Sequence, residues 1–183
     1  KIILSWNALM LQALCKAAAA LQEKVYYEMA ENNYAFIVKY FKKNNGSVEM
    51  FHTYKNGTAK YPAFLDDYAY FIQSCIELYA ITFNPTYMHT AHEYCKYVMD
   101  YFVDKEQSFF YFTHVQQTDI IIRKKEIYDG AMPSANAIMA KNIRLLSLVY
   151  NKTEWARQVE LMVATLKEMV VKYPTSFANW AML

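Results

Sequence analysis

A chain of 183 residues has the length of one domain, and a 55% hydrophobic content is enough to fill a core. Nineteen basic residues against seventeen acidic ones leave a net charge of +2, too balanced for a nucleic-acid-binding surface. Only three Gly and four Pro interrupt the chain, which argues against a turn-rich all-β fold and for long helices.

The first helix is predicted over Trp6–Leu21, where Trp6, Leu9, Met10, Ala13, Leu14 and Ala17 recur at helical spacing and Ser5 can cap the start. The second is predicted over Val25–Phe41, with Tyr26, Ala30, Tyr34, Ile37 and Phe41 on one face. A link of about 23 residues follows, long enough to carry its own structure. In it, Val48–Tyr54 and Thr58–Tyr61 flank Asn56-Gly57 and read as a hairpin with a primed turn. The third helix is predicted over Leu65–Thr82. The fourth is predicted over Pro85–Phe102, with Asn84 as cap and Pro85 at the first helical position. A second long link, of about 30 residues, holds two strand-like runs that could pair, Phe109–Thr113 and Ile120–Arg123. The fifth helix is predicted over Ser134–Tyr150 and the sixth over Lys152–Lys172, opened by a capping box of Asn151 and Glu154.

Short and long links therefore alternate. Short links make antiparallel hairpins, so helices one, three and five start at the end that carries both long loops. Tyr26 and Ala30 reappear in the fourth helix as Tyr87 and Ala91, and Thr153, Trp155 and Val159 open the sixth similarly. A unit of helix hairpin plus long loop is thus used three times. Such units must stack to bury their apolar faces. The fold class expected is all-α: an α/α toroid segment of three hairpins, about half of a six-hairpin ring, spanning 1–183 as a partial domain of a longer chain. Half a ring is expected either of a fragment or of a variant that completes its ring by self-association.

Cys15, Cys75 and Cys95 form no CxxC pair and fall at apolar helical positions, as buried free thiols do; this fits a reducing, cytoplasmic setting. Asn45-Gly46-Ser47, Asn56-Gly57-Thr58 and Asn151-Lys152-Thr153 match the glycosylation sequon and are read as chance. No stretch reads as long enough to span a membrane, and residues 1–21 lack a signal-peptide layout. No membrane partner, nucleic-acid partner or cofactor is expected.

The long-loop end collects the polar residues that could do chemistry: Trp6 and Asn7; Asp66, Asp67 and Tyr68; Glu126 and Asp129; Ser134 and Asn136. Acids in a first helical turn are ordinary, since they complement the dipole and cap free N–H groups. Together with aromatic platforms, however, a carboxylate pair is the equipment of a sugar site. The expected catalytic set is Asp66 or Asp67 with Glu126 or Asp129, assisted by His52, whose pKa suits acid–base work. Trp6, Asn7, Tyr68, Ser134 and Asn136 are the expected ligand-binding residues. His114 reads as a loop histidine. His89 and His92 have metal-compatible spacing but no evident third ligand, so no metal site is expected.

The same residues carry a family resemblance. Ser5-Trp6-Asn7-Ala8-Leu9-Met10, Phe64-Leu65-Asp66-Asp67-Tyr68-Ala69 and Asp129-Gly130-Ala131-Met132-Pro133-Ser134-Ala135-Asn136 resemble the C-terminal region of a family whose members begin with a thioredoxin-like domain, spermatogenesis-associated proteins among them. That region is similar to the six-hairpin toroids of N-acylglucosamine 2-epimerases and several glycosidases. The resemblance implies a sugar ligand, and no redox function, since the thioredoxin-like part is absent. The family usually has Gly where this chain has Ala8, and often at Ala135; added methyl groups there could crowd a ligand. Three readings stay open: a carbohydrate-active enzyme (epimerase or glycoside hydrolase), a noncatalytic glycan- or protein-binding domain, and an inactive half-domain.

Overall fold

A computed structural model describes residues 1–43, 46–104, 106, 108–118 and 120–183. The Asn45 sequon thus falls outside the described residues. The chain divides into two compact units, Lys1–Tyr97 and Val98–Leu183.

The first unit begins with a short strand, β1 (Ile2–Ile3), which runs directly into α1 (Leu4–Leu21). Helix α2 (Lys24–Phe41) follows after a tight reversal at Gln22, which takes a left-handed conformation (φ 55°). Strands β2 (Phe51–Lys55) and β3 (Thr58–Pro62) form the expected hairpin, with Asn56 and Gly57 both at positive φ, as a type I′ turn requires. β1 adds antiparallel to β2, Ile2 opposite Tyr54 and Ile3 opposite Thr53, and completes a three-stranded sheet ordered β1-β2-β3. Two residues are too few to show a period, so this strand leaves no trace in the sequence pattern. Helix α3 (Leu65–Thr82) is central to the unit: Tyr68, Tyr70, Phe71, Ile72, Cys75 and Leu78 are all buried. Helix α4 (Pro85–Tyr101) starts where predicted, and the Asn84 side chain accepts from the Thr86 N–H at 3.0 Å.

Packing in this unit is aromatic as well as aliphatic. Tyr34 of α2 stacks on Phe71 of α3 and meets Tyr87 of α4 edge-on, with centroids 5.9 and 4.8 Å apart. Phe71 is edge-on to Tyr94, and Tyr68 lies 5.3 Å from Tyr97. Such pairs add roughly 0.5–1.5 kcal/mol each beyond area burial. The Tyr54 ring closes the hairpin against Phe36, Tyr40 and Phe41 of α2. α1 joins α3 through polar as well as apolar contacts: Gln12 donates to the Tyr70 carbonyl (2.9 Å), and the Ser74 hydroxyl sits within bonding distance of the Ala8 and Tyr70 carbonyls.

The second unit holds the end of α4, a long irregular segment, and the antiparallel pair α5 (Ala135–Val149) and α6 (Thr153–Lys172), followed by a 3-10 turn at Pro174–Ser176. Its core includes Phe102, Phe110, Met139, Ile143, Leu146, Met162, Phe177 and Trp180. The repeat legible in sequence is structural: Ala30, Ala91 and Val159 are all buried at matching positions of α2, α4 and α6.

Four local expectations are corrected. Ser5 does not cap α1; Ile3 precedes the helix, and Ser5 lies inside it with its backbone N–H bonded elsewhere. Asn151 and Glu154 form no capping box, because Asn151 is left-handed (φ 52°) and Lys152 occupies the cap position. Phe109–Thr113 and Ile120–Arg123 do not pair as strands; Phe110 makes an isolated bridge to Val103, and the Phe112 N–H donates to the Lys124 carbonyl. Finally, Leu4–Leu21 is long and apolar enough to cross a membrane by length and composition alone. In this unit its Leu4, Ala8, Leu11, Cys15 and Ala18 side chains are buried, and α1 packs against α2 and α3.

Candidate functional site

The first unit draws the starts of α1 and α3 together through one side chain. Asp67, at the third position of α3, is fully buried. One of its carboxylate oxygens accepts from the Ser5 N–H at 2.8 Å; the other accepts from the Phe64 N–H at 2.9 Å and from Nδ1 of His52 at 2.8 Å. The Phe64 bond is the reaching-back half of a capping box. The Ser5 bond satisfies a donor that the first turn of α1 leaves open. Asp67 thus ties α1, β2 and α3 at one point.

Asp66 is different. It is 8% exposed, and its Oδ1 accepts from the adjacent Asp67 N–H at 2.9 Å. Burial, and then the charge of Asp67, push its carboxyl up to about 7. Burial also raises Asp67, but the hydrogen bond from His52 and the two backbone donors oppose it. His52 is raised by its hydrogen bond to Asp67, which favours the imidazolium. In its neutral form Nδ1–H faces Asp67, leaving Nε2 as the basic nitrogen, the tautomer control familiar from acid–base dyads. The His52 ring lies 4.9 Å from that of Phe64.

Around this centre Trp6 is 62% exposed on the first turn of α1. Asn7 turns back to its own helix start, donating to the Ile3 carbonyl at 2.9 Å. Tyr68 is 2% exposed: its hydroxyl accepts from the Met50 N–H at 3.0 Å, and burial drives its pKa upward. Ala8, at the position where the resembling family usually has glycine, is fully buried, so its methyl lies in packed interior. Sequence reasoning passed over Gln12 and Ser74, which tie α1 to α3; a buried Gln and Ser on helix faces otherwise apolar were the available signal.

Glu126, Asp129, Ser134, Asn136 and His114 lie in the second unit, His92 in the first. Asp129 accepts from the Ser134 N–H (2.8 Å), the Asn179 N–H (2.8 Å) and the Asn179 amide (3.0 Å), and so fastens the C-terminal segment to the start of α5. Asn136 is fully buried; it accepts from the Phe110 N–H and donates to the Phe110 and Glu126 carbonyls, standing in for a strand partner. Ser134 caps α5 and donates to the Glu126 carbonyl. The Glu126 residue is exposed, and its described bonds are to its backbone. His114 stacks on Tyr101 at 4.9 Å and accepts from the Gln116 N–H. His92 sits 3.6 Å from Glu93. Among the described residues no three His, Cys, Asp or Glu side chains converge as a metal site would need.

Folded in this way, the chain is an α/α toroid segment of the kind found in carbohydrate-active enzymes. It superposes on cellobiose 2-epimerase from Bacillus thermoamylovorans with a TM-score of 0.72 and 13% identity, covering 92% of this chain and 45% of that one. The GH76 α-mannanase BT2949 of Bacteroides thetaiotaomicron gives 0.71 and 18%, over 92% and 46%. An inactive variant of an α-1,6-mannanase from a Salegentibacter species, with two consecutive aspartates changed to asparagine and α-1,6-mannotriose bound, gives 0.68 and 11%, over 91% and 47%. In sequence the chain is 28% identical over 192 residues to an uncharacterized protein of Caenorhabditis elegans, covering 99% of this chain and 25% of that protein. It is 22% identical over 184 residues to spermatogenesis-associated protein 20 of Rattus norvegicus, covering 96% and 23%. The resemblance to the spermatogenesis-associated family holds along nearly the whole chain. The chain spans about a quarter of the length of these relatives. No established family model matches it.

Proposed function

We propose that the α1–α3 end of the first unit is a sugar-binding acid–base centre, in which Asp66 is the proton donor and His52, held by Asp67, the base. One observation carries this reading: two consecutive buried aspartates stand in unlike environments, Asp67 bonded to His52 and to the Ser5 and Phe64 N–H groups, Asp66 bonded to the Asp67 N–H. Unlike environments for neighbouring titratable groups are how a single site supplies both an acid and a base. The mannanase neighbour, inactive when two consecutive aspartates are changed, supports it. Exposed Trp6 offers an apolar face to a sugar ring. Glycoside hydrolysis and epimerisation both need a proton given and a proton taken, so the centre suits either.

A second reading has its own observation. Asp67 and Asp129 both engage backbone N–H groups, as structural carboxylates do. A glycan-binding domain without turnover would show the same bonds. Incubation with α-1,6-mannotriose and with cellobiose, followed by NMR of both the sugar and the protein, separates the two. Turnover that falls at least a hundredfold in Asp66→Asn supports the enzyme. Binding near Trp6 and His52 without turnover supports the binder. If neither sugar perturbs these residues, the sugar site is refuted. Completion of a ring by a second copy or by further chain is a separate proposal, tested by solution mass.

A further inference from the structure

Helix α1 is apolar on the side that meets water as well as on the side that packs. Leu4, Ala8, Leu11, Cys15 and Ala18 are buried. On the opposite side Trp6 is 62% and Met10 56% exposed, Ala13 and Ala20 are exposed, and Ala17 is half-buried. Lys16 is the one charged residue of the helix. It sits at the edge of this arc, 3.8 Å from Glu77 of its own chain. A helix that is apolar on all sides is normally a buried helix, so the outward arc of α1 lacks its cover.

The spacing shows what kind of cover fits. Trp6, Met10, Ala13, Ala17 and Ala20 recur at alternating steps of four and three residues, the period of 3.5 that marks a seam between two helices. Size is graded along the seam. Trp6 and Met10 are bulky, Ala17 and Ala20 are small, and Ala13 lies at the centre. Reversed against a copy of itself, the seam sets Trp6 against Ala20 and Met10 beside Ala17, large into small. Run parallel, it would set Trp6 on Trp6 and hold the alanines apart. Leu21, Val25 and Met29, each about half-exposed, widen the patch across the turn into α2. Its exposed apolar area is on the order of 600 Å², at the top of the range for monomers and most of the roughly 800 Å² that a stable dimer takes from each partner. With Lys16 at the edge beside its own Glu77, no like charges face one another across the seam.

We infer that α1 docks antiparallel on α1 of a second copy of this chain, through the seam from Trp6 to Ala20, in a two-fold dimer. A two-fold contact must be self-complementary, and the graded seam is. This dimer differs from a ring closed by two copies, which would set the first hairpin of one against the last hairpin of the other. The inference does not rest on the sugar reading. Trp6 heads the seam, so a sugar held there and a second copy exclude each other.

Sedimentation equilibrium across a wide concentration range should show the mass rising from 21.5 kDa to twice that value. Ala17→Glu, which sets a charge in the seam, should hold the chain at the monomer mass with an unchanged circular dichroism spectrum. Cross-linking reads the geometry. Under mild oxidation Ala13→Cys should link to itself, and Trp6→Cys to Ala20→Cys when the two are mixed. Trp6→Cys alone should stay unlinked, because antiparallel helices hold the two copies of that position about 21 Å apart along the axis. The native thiols are buried, so the unsubstituted chain is the unlinked control. A monomer at every concentration overturns the inference, as does a dimer that persists in Ala17→Glu. Self-linking of Trp6→Cys, or a dimer in which Ala13→Cys does not link, overturns the antiparallel seam. Binding of the monomer to phosphatidylcholine vesicles in place of dimerisation overturns it too and assigns the arc to a membrane, which the length and apolarity of α1 also allow.

Discussion

Replacing Asp66 by Asn removes one titratable proton while keeping an oxygen for the Asp67 N–H. In the unfolded chain this carboxyl ionises near its ordinary value of 3.8; in the folded protein burial and the Asp67 charge hold the proton on to about 7. The native state therefore binds a proton that the unfolded state has released across that interval. Stability from this group is complete below about pH 4 and is lost as pH rises through about 7. A shift of about three units at about 1.36 kcal/mol each amounts to about 4 kcal/mol. His52 acts in the same direction, since its folded pKa is also raised, but its contribution is lost only above its ordinary value of 6.5. Asp67, which burial also raises, contributes in the same direction, so the difference between wild type and variant, not either profile alone, reads Asp66. Urea unfolding of wild type and Asp66→Asn should give profiles that diverge with rising pH, the wild type losing up to about 4 kcal/mol relative to the variant by pH 7.5. The carboxyl carbon resonance of Asp66 should titrate near pH 7. Parallel unfolding profiles, or a resonance that titrates near pH 4, would refute both the buried acid and its assignment as proton donor.

Three further outcomes follow from the geometry. Asp67→Asn leaves two buried backbone donors competing for one carbonyl oxygen; it should cost about 3 kcal/mol and return the His52 pKa toward 6.5, read from its ring proton shifts, and an unmoved His52 would remove Asp67 as its partner. Asn136→Ala leaves the buried Phe110 N–H without an acceptor and should cost about 3 kcal/mol, with faster hydrogen exchange at Phe110. Phe83, at the left-handed position that ends α3 (φ 54°) and 76% exposed, should be better as glycine: Phe83→Gly is expected to raise stability by about 1 kcal/mol in thermal unfolding, and a loss would show that its 6.2 Å contact with Tyr79 outweighs the strain.

The helices were legible because their signals are local. Apolar residues at helical spacing located α3 to the residue, and Asn56-Gly57 located the hairpin because few residues tolerate two consecutive positive φ angles. Signals that depend on distant partners misled. Ser5 looks like a cap in isolation, yet β1 moves the helix start upstream and presents the Ser5 N–H to Asp67. Phe109–Thr113 has the composition of a strand, but Asn136 supplies the bonds a partner strand would have supplied.

The same distinction governs the candidate site. Asp66 and Asp67 are equivalent as letters, two acids in a first helical turn. Consecutive residues on an α-helix, however, point about 100° apart, so only one of them can face the seam where α1 and β2 meet α3. The donors that select Asp67 lie 62 residues upstream at Ser5 and 15 upstream at His52. Asp66 receives neither, and burial together with the charge of Asp67 pushes its carboxyl upward. The asymmetry is therefore a property of the contact between β1, β2 and the two helix starts. Shifting the register of β2 by one residue would turn His52 to the opposite face, and Asp67 would lose the donor that distinguishes it from its neighbour.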